Sequence, residues 1–273
     1  MKQKAYLMDT TLRDGEQRPG CAFSPAQKLQ IAQILDRAGI HQIDAGTPAM
    51  GSDECDVIRE IMANRVRANI SVWCRMNEDD LMAAMSCTPD LIHISAPISY
   101  AHIYTKLRKN KTWLQKELLG CVAFVQEKGF AVTVGFEDAS RADITFMSAI
   151  STQLREQGVL RVQFSDTVGV MTPQRTYECV TELIHAGSPP ITFHGHNDLG
   201  MAVANSVAAL RAGAVGIETT LLGLGERAGN CNLEILARVI SRTYDIRPTL
   251  RDAEILSRKG REIFCIDNRI SGP

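Results

Sequence analysis

Three short polar stretches carry residue types that can bind a cation and act on a carbonyl group. The first, Asp9-Thr10-Thr11-Leu12-Arg13-Asp14-Gly15-Glu16-Gln17, packs carboxylates, an arginine and a glutamine directly after an apolar run. Taken alone it also reads as a polar loop with local arginine–carboxylate pairing. The second is His194-Gly195-His196-Asn197-Asp198, which holds two of the six histidines. On a strand, residues i and i+2 project to one face, so both imidazoles can reach a single ion. The third, Gly223-Leu224-Gly225-Glu226-Arg227-Ala228-Gly229-Asn230, has glycines that permit close backbone approach and ends on an amide oxygen. Glu226 and Arg227 read more simply as a structural ion pair.

Brought together, one carboxylate (Asp14), two imidazoles (His194, His196) and an amide (Asn230) leave open positions in an octahedral shell. Such a set suits Mg²⁺, Mn²⁺, Fe²⁺ or Zn²⁺ with exchangeable ligands rather than a closed structural zinc. Two open neighbouring positions fit a 2-oxo acid bound through a carboxylate oxygen and its ketone, with the ion as Lewis acid. Arg13, next to Asp14, can then carry charge developing on the ketone oxygen.

These clusters must be positioned by the elements around them. Apolar, β-rich runs recur at Ala5–Asp9, Gln42–Ala45, Asn69–Cys74, Leu91–Ala96, Ala131–Phe136, Arg161–Ser165, Ile191–His194 and Gly216–Thr219. Near-continuous apolar runs are expected of parallel strands buried on both faces. Helix-period segments separate them. Ser24-Pro25-Ala26-Gln27 offers an N-cap, a proline at the first helical position and a capping-box glutamine. Thr172-Pro173 opens a helix to about His185, and Gly39, Gly129, Gly158 and Gly213 fall where helices should end. Eight β-then-α units without a linker predict an α/β chain folded as one (β/α)8 TIM barrel over residues 1–273. An open doubly wound sheet is the rival, but no GxGxxG follows the first strand. In a closed barrel strands one, seven and eight are contiguous, so the three clusters meet at the C-terminal mouth.

Composition narrows the setting. The formal net charge of −1 gives no electrostatic footprint for nucleic acid or an anionic membrane. The basic run Lys106–Lys111 reads as a solvated loop that could touch an anionic ligand such as a coenzyme A phosphate. No apolar stretch approaches the roughly 18 residues of a membrane span, and the N-terminus lacks a signal-peptide core. Eight cysteines are scattered without a CxxC pair, which predicts reduced thiols and a cytoplasmic chain.

The three motifs, in this order and at matching strand ends, resemble those of the DRE-TIM metallolyases, within them the acetyl-CoA-dependent Claisen-condensing synthases. The resemblance runs from about Tyr6 to Val239. It implies a divalent metal held by Asp14, His194 and His196, with Asn230 as a further or supporting ligand. Arg13 would polarise the ketone, Gln17 orient it and Thr167 bind the 2-oxo acid carboxylate. Glu137 would support the base near the acetyl group, and Asp44, Arg75 and His93 would line the substrate pocket from strand ends.

Within that family, Gly46–Gly51 and Val134–Asp138 resemble the nitrogenase-type homocitrate synthases more than the 2-isopropylmalate synthases. The implied reaction joins acetyl-CoA, 2-oxoglutarate and water into homocitrate and CoA. The alternatives are a 2-isopropylmalate or citramalate synthase-like activity, an aldol cleavage of the hydroxymethylglutaryl-CoA lyase type, or a barrel subunit that needs a partner. The lyase type relies on a cysteine in a mobile glycine-rich loop. Cys231 is the nearest candidate but reads as a residue at a helix start. Asp44 stands where the family has glutamate. The family synthases also continue into a C-terminal region that lends a histidine and a tyrosine to the neighbouring subunit. With the sequence ending at Pro273, the expectation is a homodimer or a partner chain that supplies this region.

Overall fold

The computed structural model describes residues 2–264 and shows a closed eight-stranded parallel barrel ringed by helices. The strands are β1 (Gln3–Asp9), β2 (Gln42–Asp44), β3 (Asn69–Arg75), β4 (Leu91–Pro97), β5 (Ala131–Glu137), β6 (Arg161–Asp166), β7 (Ile191–Gly195) and β8 (Gly216–Thr219). All eight apolar runs are therefore strands, several extended by a residue or two. Parallel pairing runs in sequence order, and β1 closes the ring by pairing with both β8 and β2.

The helices begin and end where local chemistry directs. In α1 (Pro25–Ala38) Ser24 and Gln27 complete the capping box, and Gly39 closes the helix in the left-handed region. Thr172 caps α6 (Pro173–His185) through the Arg175 amide. The other crossover helices are α2 (Ser52–Asn64), α3 (Glu78–Ser86), α4 (Lys111–Glu127), α5 (Ile144–Glu156), α7 (Ala202–Ala212) and α8 (Leu233–Ile240). Their apolar stripes pack on the outer faces of the strands, where Phe164 stacks on Phe193 with ring centroids 6.1 Å apart.

One strand has no counterpart in the apolar runs. β9 (Tyr244–Arg247) pairs in parallel with the first half of β1, from Gln3↔Tyr244 to Tyr6↔Arg247. It is followed by α9 (Leu250–Ile263), which starts on a Thr249–Asp252 capping box. β2 meets β1 only at Met8↔Gln42 and Asp9↔Ile43, so β9 and β2 share one edge of β1 end to end.

The inside of the barrel is polar along several strands. Strand alternation places Arg161, Gln163 and Ser165 on one side of β6, and Ser165 is in register with His194 of β7. The seven described cysteines are free thiols, six of them buried, while Cys265 lies outside the described residues. No helix among the described residues is long and apolar enough to cross a membrane.

Candidate active site

The turn after β1 is drawn tight by the Thr10 carbonyl, which accepts from the amides of Arg13, Asp14 and Gly15. It is stitched to the β8 side by Thr10 N–H to the Thr219 carbonyl at 2.9 Å and Leu221 N–H to Thr11 Oγ1 at 2.8 Å. Its outer end is held by Lys28 of α1, buried between Glu16 and Glu54 with both contacts at 2.7 Å. This brings the Asp14 carboxylate, itself buried, to β7. His194 Nε2 lies 3.1 Å and His196 Nε2 3.6 Å from Asp14 Oδ2, and one ligand atom from each residue falls within 4.8 Å of the others. The two imidazoles stand nearly perpendicular, 5.0 Å apart. Gly195 between them cannot carry a side chain, because a Cβ there would come within 2.8 Å of the Phe193 ring.

Asn230 completes the group from the loop after β8. Its backbone bridges to His196, and its side-chain N–H donates to the Leu224 carbonyl at 2.8 Å. That fixes the amide and leaves Oδ1 buried without a partner. Asp14 Oδ1 and His196 Nδ1 are also buried and unpartnered. Buried polar atoms are normally satisfied. The clustered carboxylate and two imidazoles, with an unpartnered amide oxygen on the residue bridged to His196, fit a divalent cation.

Charge in this cluster follows from burial and proximity. Burial works against an ionised Asp14, but Arg13 and the two histidines outweigh it and hold the carboxyl below its ordinary range. Burial likewise opposes a charged His194, yet contacts with Asp14 and Glu218 draw it up to about 9. His196 is pushed down to about 4 by burial and then by the neighbouring His194 charge. Without a cation the pair therefore rests as one imidazolium and one neutral ring.

A cavity of about 410 Å³ opens at this mouth. Arg13, Asp14, Gln17, Arg75, Glu137, Thr167, His194 and His196 all lie on its wall. Three residues read as site residues from sequence do not. Asn230 stands behind the histidines. Asp44 sits behind Arg13, accepting from its Nε at 2.7 Å and from the Thr10 hydroxyl at 3.2 Å, so it acts on the cavity through the guanidinium. His93 is not at a strand end: it is the third residue of β4, a layer below the cavity, bonded through Nδ1 to Thr133 Oγ1 at 2.9 Å. Burial lowers its pKa to about 4, so it is neutral there. Arg75 is at the rim, with its side chain 66% exposed and a two-pronged bond to Asp80.

On the far wall Glu137 receives Lys106 Nζ at 3.2 Å and has His102 Nδ1 at 3.4 Å. Thr167 Oγ1 accepts from the Asp138 amide at 2.9 Å, which leaves its own proton free. Arg227 binds Glu226 at 3.0 Å as read from sequence, and also Asp198 at 2.8 Å and the Thr167 carbonyl at 2.7 Å, tying the β6, β7 and β8 loops together. Cys231 is fully buried against Ser206, and burial pushes its thiol up to about 12. Sequence reasoning missed Glu218 on β8, which reaches His194 Nδ1 at 3.3 Å, and its neighbour Gln163. The available signal was a carboxylate inside a strand otherwise read as apolar.

Residues 4–258 match the HMGL-like family. The chain belongs to that family. It is 47% identical over 232 residues to a homocitrate synthase of Frankia alni, an overlap that covers 85% of this chain and 66% of the relative. It is 41% identical over 257 residues to homocitrate synthase subunit alpha of Clostridium pasteurianum, covering 94% of this chain and 96% of that one. It is 40% identical to a 2-isopropylmalate synthase of Caldanaerobacter subterraneus over 88% of this chain and 62% of the relative. The chain thus spans 66% of the Frankia homocitrate synthase and 62% of the 2-isopropylmalate synthase, each less than two thirds, but 96% of the Clostridium subunit. Among solved structures, hydroxymethylglutaryl-CoA lyase from Pseudomonas aeruginosa superposes with a TM-score of 0.84 at 17% identity, covering 98% of this chain and 95% of that one; it shares the barrel.

Proposed function

We propose that this chain carries the metal and ketone half of an enzyme that condenses acetyl-CoA with a 2-oxo acid, 2-oxoglutarate being the first reading, to give homocitrate and CoA. The observation that carries it is the Asp14, His194, His196 and Asn230 cluster with Arg13 beside it on a cavity that reaches Glu137. A divalent cation held there supplies Lewis acidity to the ketone. Arg13, oriented by Asp44, faces charge that develops on the ketone oxygen. Thr167 has a hydroxyl proton to donate to the substrate carboxylate, and Gln17 on the same wall helps orient it. Glu137, on the same cavity wall, is assigned to support the base that takes the acetyl methyl proton, which must leave before carbon–carbon bond formation. Water then cleaves the thioester.

A second reading keeps the chemistry and changes the 2-oxo acid. Each cation on the cavity wall among the described residues is already paired: Arg13 with Asp14 and Asp44, Arg75 with Asp80, Lys106 with Glu137. Ser165 has given its proton to Gln163, so it offers only lone pairs. A wall of this kind favours a 2-oxo acid with an uncharged side chain, such as pyruvate or 2-oxoisovalerate, over one with a second carboxylate. Thiol release from acetyl-CoA, measured with 2-oxoglutarate, pyruvate and 2-oxoisovalerate, separates the two. Release with none of them, appearing only once the C-terminal portion of a longer relative is added, supports a partner chain. The subunit status of the similar Clostridium protein points the same way.

A further inference from the structure

On the cavity wall a chain of polar contacts crosses three strands. Ser165 Oγ donates to Gln163 Oε1 at 2.7 Å, Gln163 Nε2 donates to Glu218 Oε1, and Glu218 Oε2 faces His194 Nδ1 at 3.3 Å. All four residues are buried. Direction is forced along its length. The Gln163 amide has its oxygen toward a hydroxyl and its nitrogen toward a carboxylate, because the reverse would set two oxygens face to face. Glu218 Oε1 therefore accepts from Gln163, and Oε2, buried with no other partner, faces His194 Nδ1, so that nitrogen must carry the N–H. With Nδ1 committed to that proton, it is Nε2, 3.1 Å from Asp14, that must give up its proton to offer a lone pair to a cation.

We infer that Glu218 is the positioning residue of His194, fixing its tautomer and ring plane for the cation, and that Gln163 fixes Glu218 in turn. The inference rests on the metal reading of Asp14, His194 and His196. A carboxylate or carbonyl partner on the far nitrogen of a ligating histidine commonly raises metal affinity by about 10- to 100-fold. Here the partner is a buried side chain from the neighbouring strand β8, and its own geometry is held by a residue on β6, two strands from β8.

The test is Mn²⁺ affinity by calorimetry, with thermal unfolding of each variant as the control for folding. Glu218→Ala and Glu218→Gln are each expected to weaken Mn²⁺ binding by about 10- to 100-fold. In Glu218→Gln the new amide keeps an oxygen on His194 Nδ1–H only if Gln163 flips and turns its nitrogen onto the Ser165 oxygen; otherwise the new nitrogen meets that N–H. The pair Gln163→Glu with Glu218→Gln reverses both partners. The amide at 218 then donates to the carboxylate at 163 and accepts from His194 Nδ1–H, while Ser165 still donates to residue 163. This double variant is expected to recover affinity to within about threefold of the wild type, a rescue that a general packing role does not produce. A wild-type chain that takes up no Mn²⁺ overturns the metal site and this assignment with it. A wild-type chain that binds, with Glu218→Ala binding equally well, overturns the Glu218 assignment alone. So does a double variant that binds no better than Glu218→Gln.

Discussion

Asp44 Oδ2 lies 2.7 Å from Arg13 Nε, with the arginine on the cavity wall and the carboxylate behind it. The guanidinium is thereby aimed rather than free, and burial would be costly without that partner. Arg13→Ala is expected to lower turnover by about 10²- to 10³-fold, on the order of 3–4 kcal/mol for a lost oxyanion donor, while Mn²⁺ binding persists. Asp44→Ala keeps the guanidinium but lets it swing, and a smaller loss of about tenfold is expected. Steady-state kinetics beside calorimetry check both, and turnover of Arg13→Ala near that of the wild type would remove the arginine from its role.

The ligand set makes a graded prediction. His196→Ala deletes one of three converging ligand atoms and is expected to abolish measurable divalent-metal binding. Asn230→Ala removes a neutral oxygen whose contribution is weaker, so binding should fall but remain detectable. Calorimetry with Mn²⁺ ranks them, and the opposite order would place the ion away from His196.

Lys28 bridges Glu16 and Glu54 in a buried position. Removing it leaves two carboxylates facing one another without a cation, which typically costs about 3–5 kcal/mol. Lys28→Ala should therefore unfold at markedly lower urea. Glu16 belongs to the same turn as Asp14, so its metal affinity should fall as well. A variant with unchanged urea midpoint would show that the ion pairs hold nothing.

Asp9 supplies a pH signature. Its Oδ1 accepts from the Thr11 amide at 2.9 Å and its Oδ2 has no partner, and burial lifts its pKa to about 7. A folded-state value above the unfolded one means that the folded chain holds the proton longer. This group's contribution is fully present below about pH 4 and is lost as pH rises toward 7, by about 4 kcal/mol at most. Asp9→Asn keeps an oxygen for Thr11 and puts a neutral N–H₂ at the orphan position. Its stability relative to the wild type should increase from pH 5 to pH 7 and level off above, as read by urea unfolding at each pH. A difference that stays flat with pH would contradict the assignment.

The barrel was legible because its strands are buried on both faces and spell continuous apolar runs, with proline, serine and glycine marking the helix ends. β9 escaped for the opposite reason. Tyr-Asp-Ile-Arg alternates buried with exposed, as a strand wetted on one side does, and four residues are too few for that period to stand out. That Asp14, His194 and His196 come together was legible from type and spacing. Asp44, His93 and Glu218 were not placed correctly, or not seen, because their roles depend on depth within the barrel. Sequence spacing tells which side of a strand a residue takes but not which layer it occupies.

The division of the β1 edge between β2 and β9 has a bearing on where the polypeptide can be cut. Shortening it ahead of Tyr244 would remove no residue of the cavity wall. It would, however, strip Gln3 to Tyr6 of their lateral partner and leave a row of free amides and carbonyls on one flank. A bare flank of that kind recruits the same flank of another molecule. Such a trimmed chain could keep every metal ligand and still be lost to self-association.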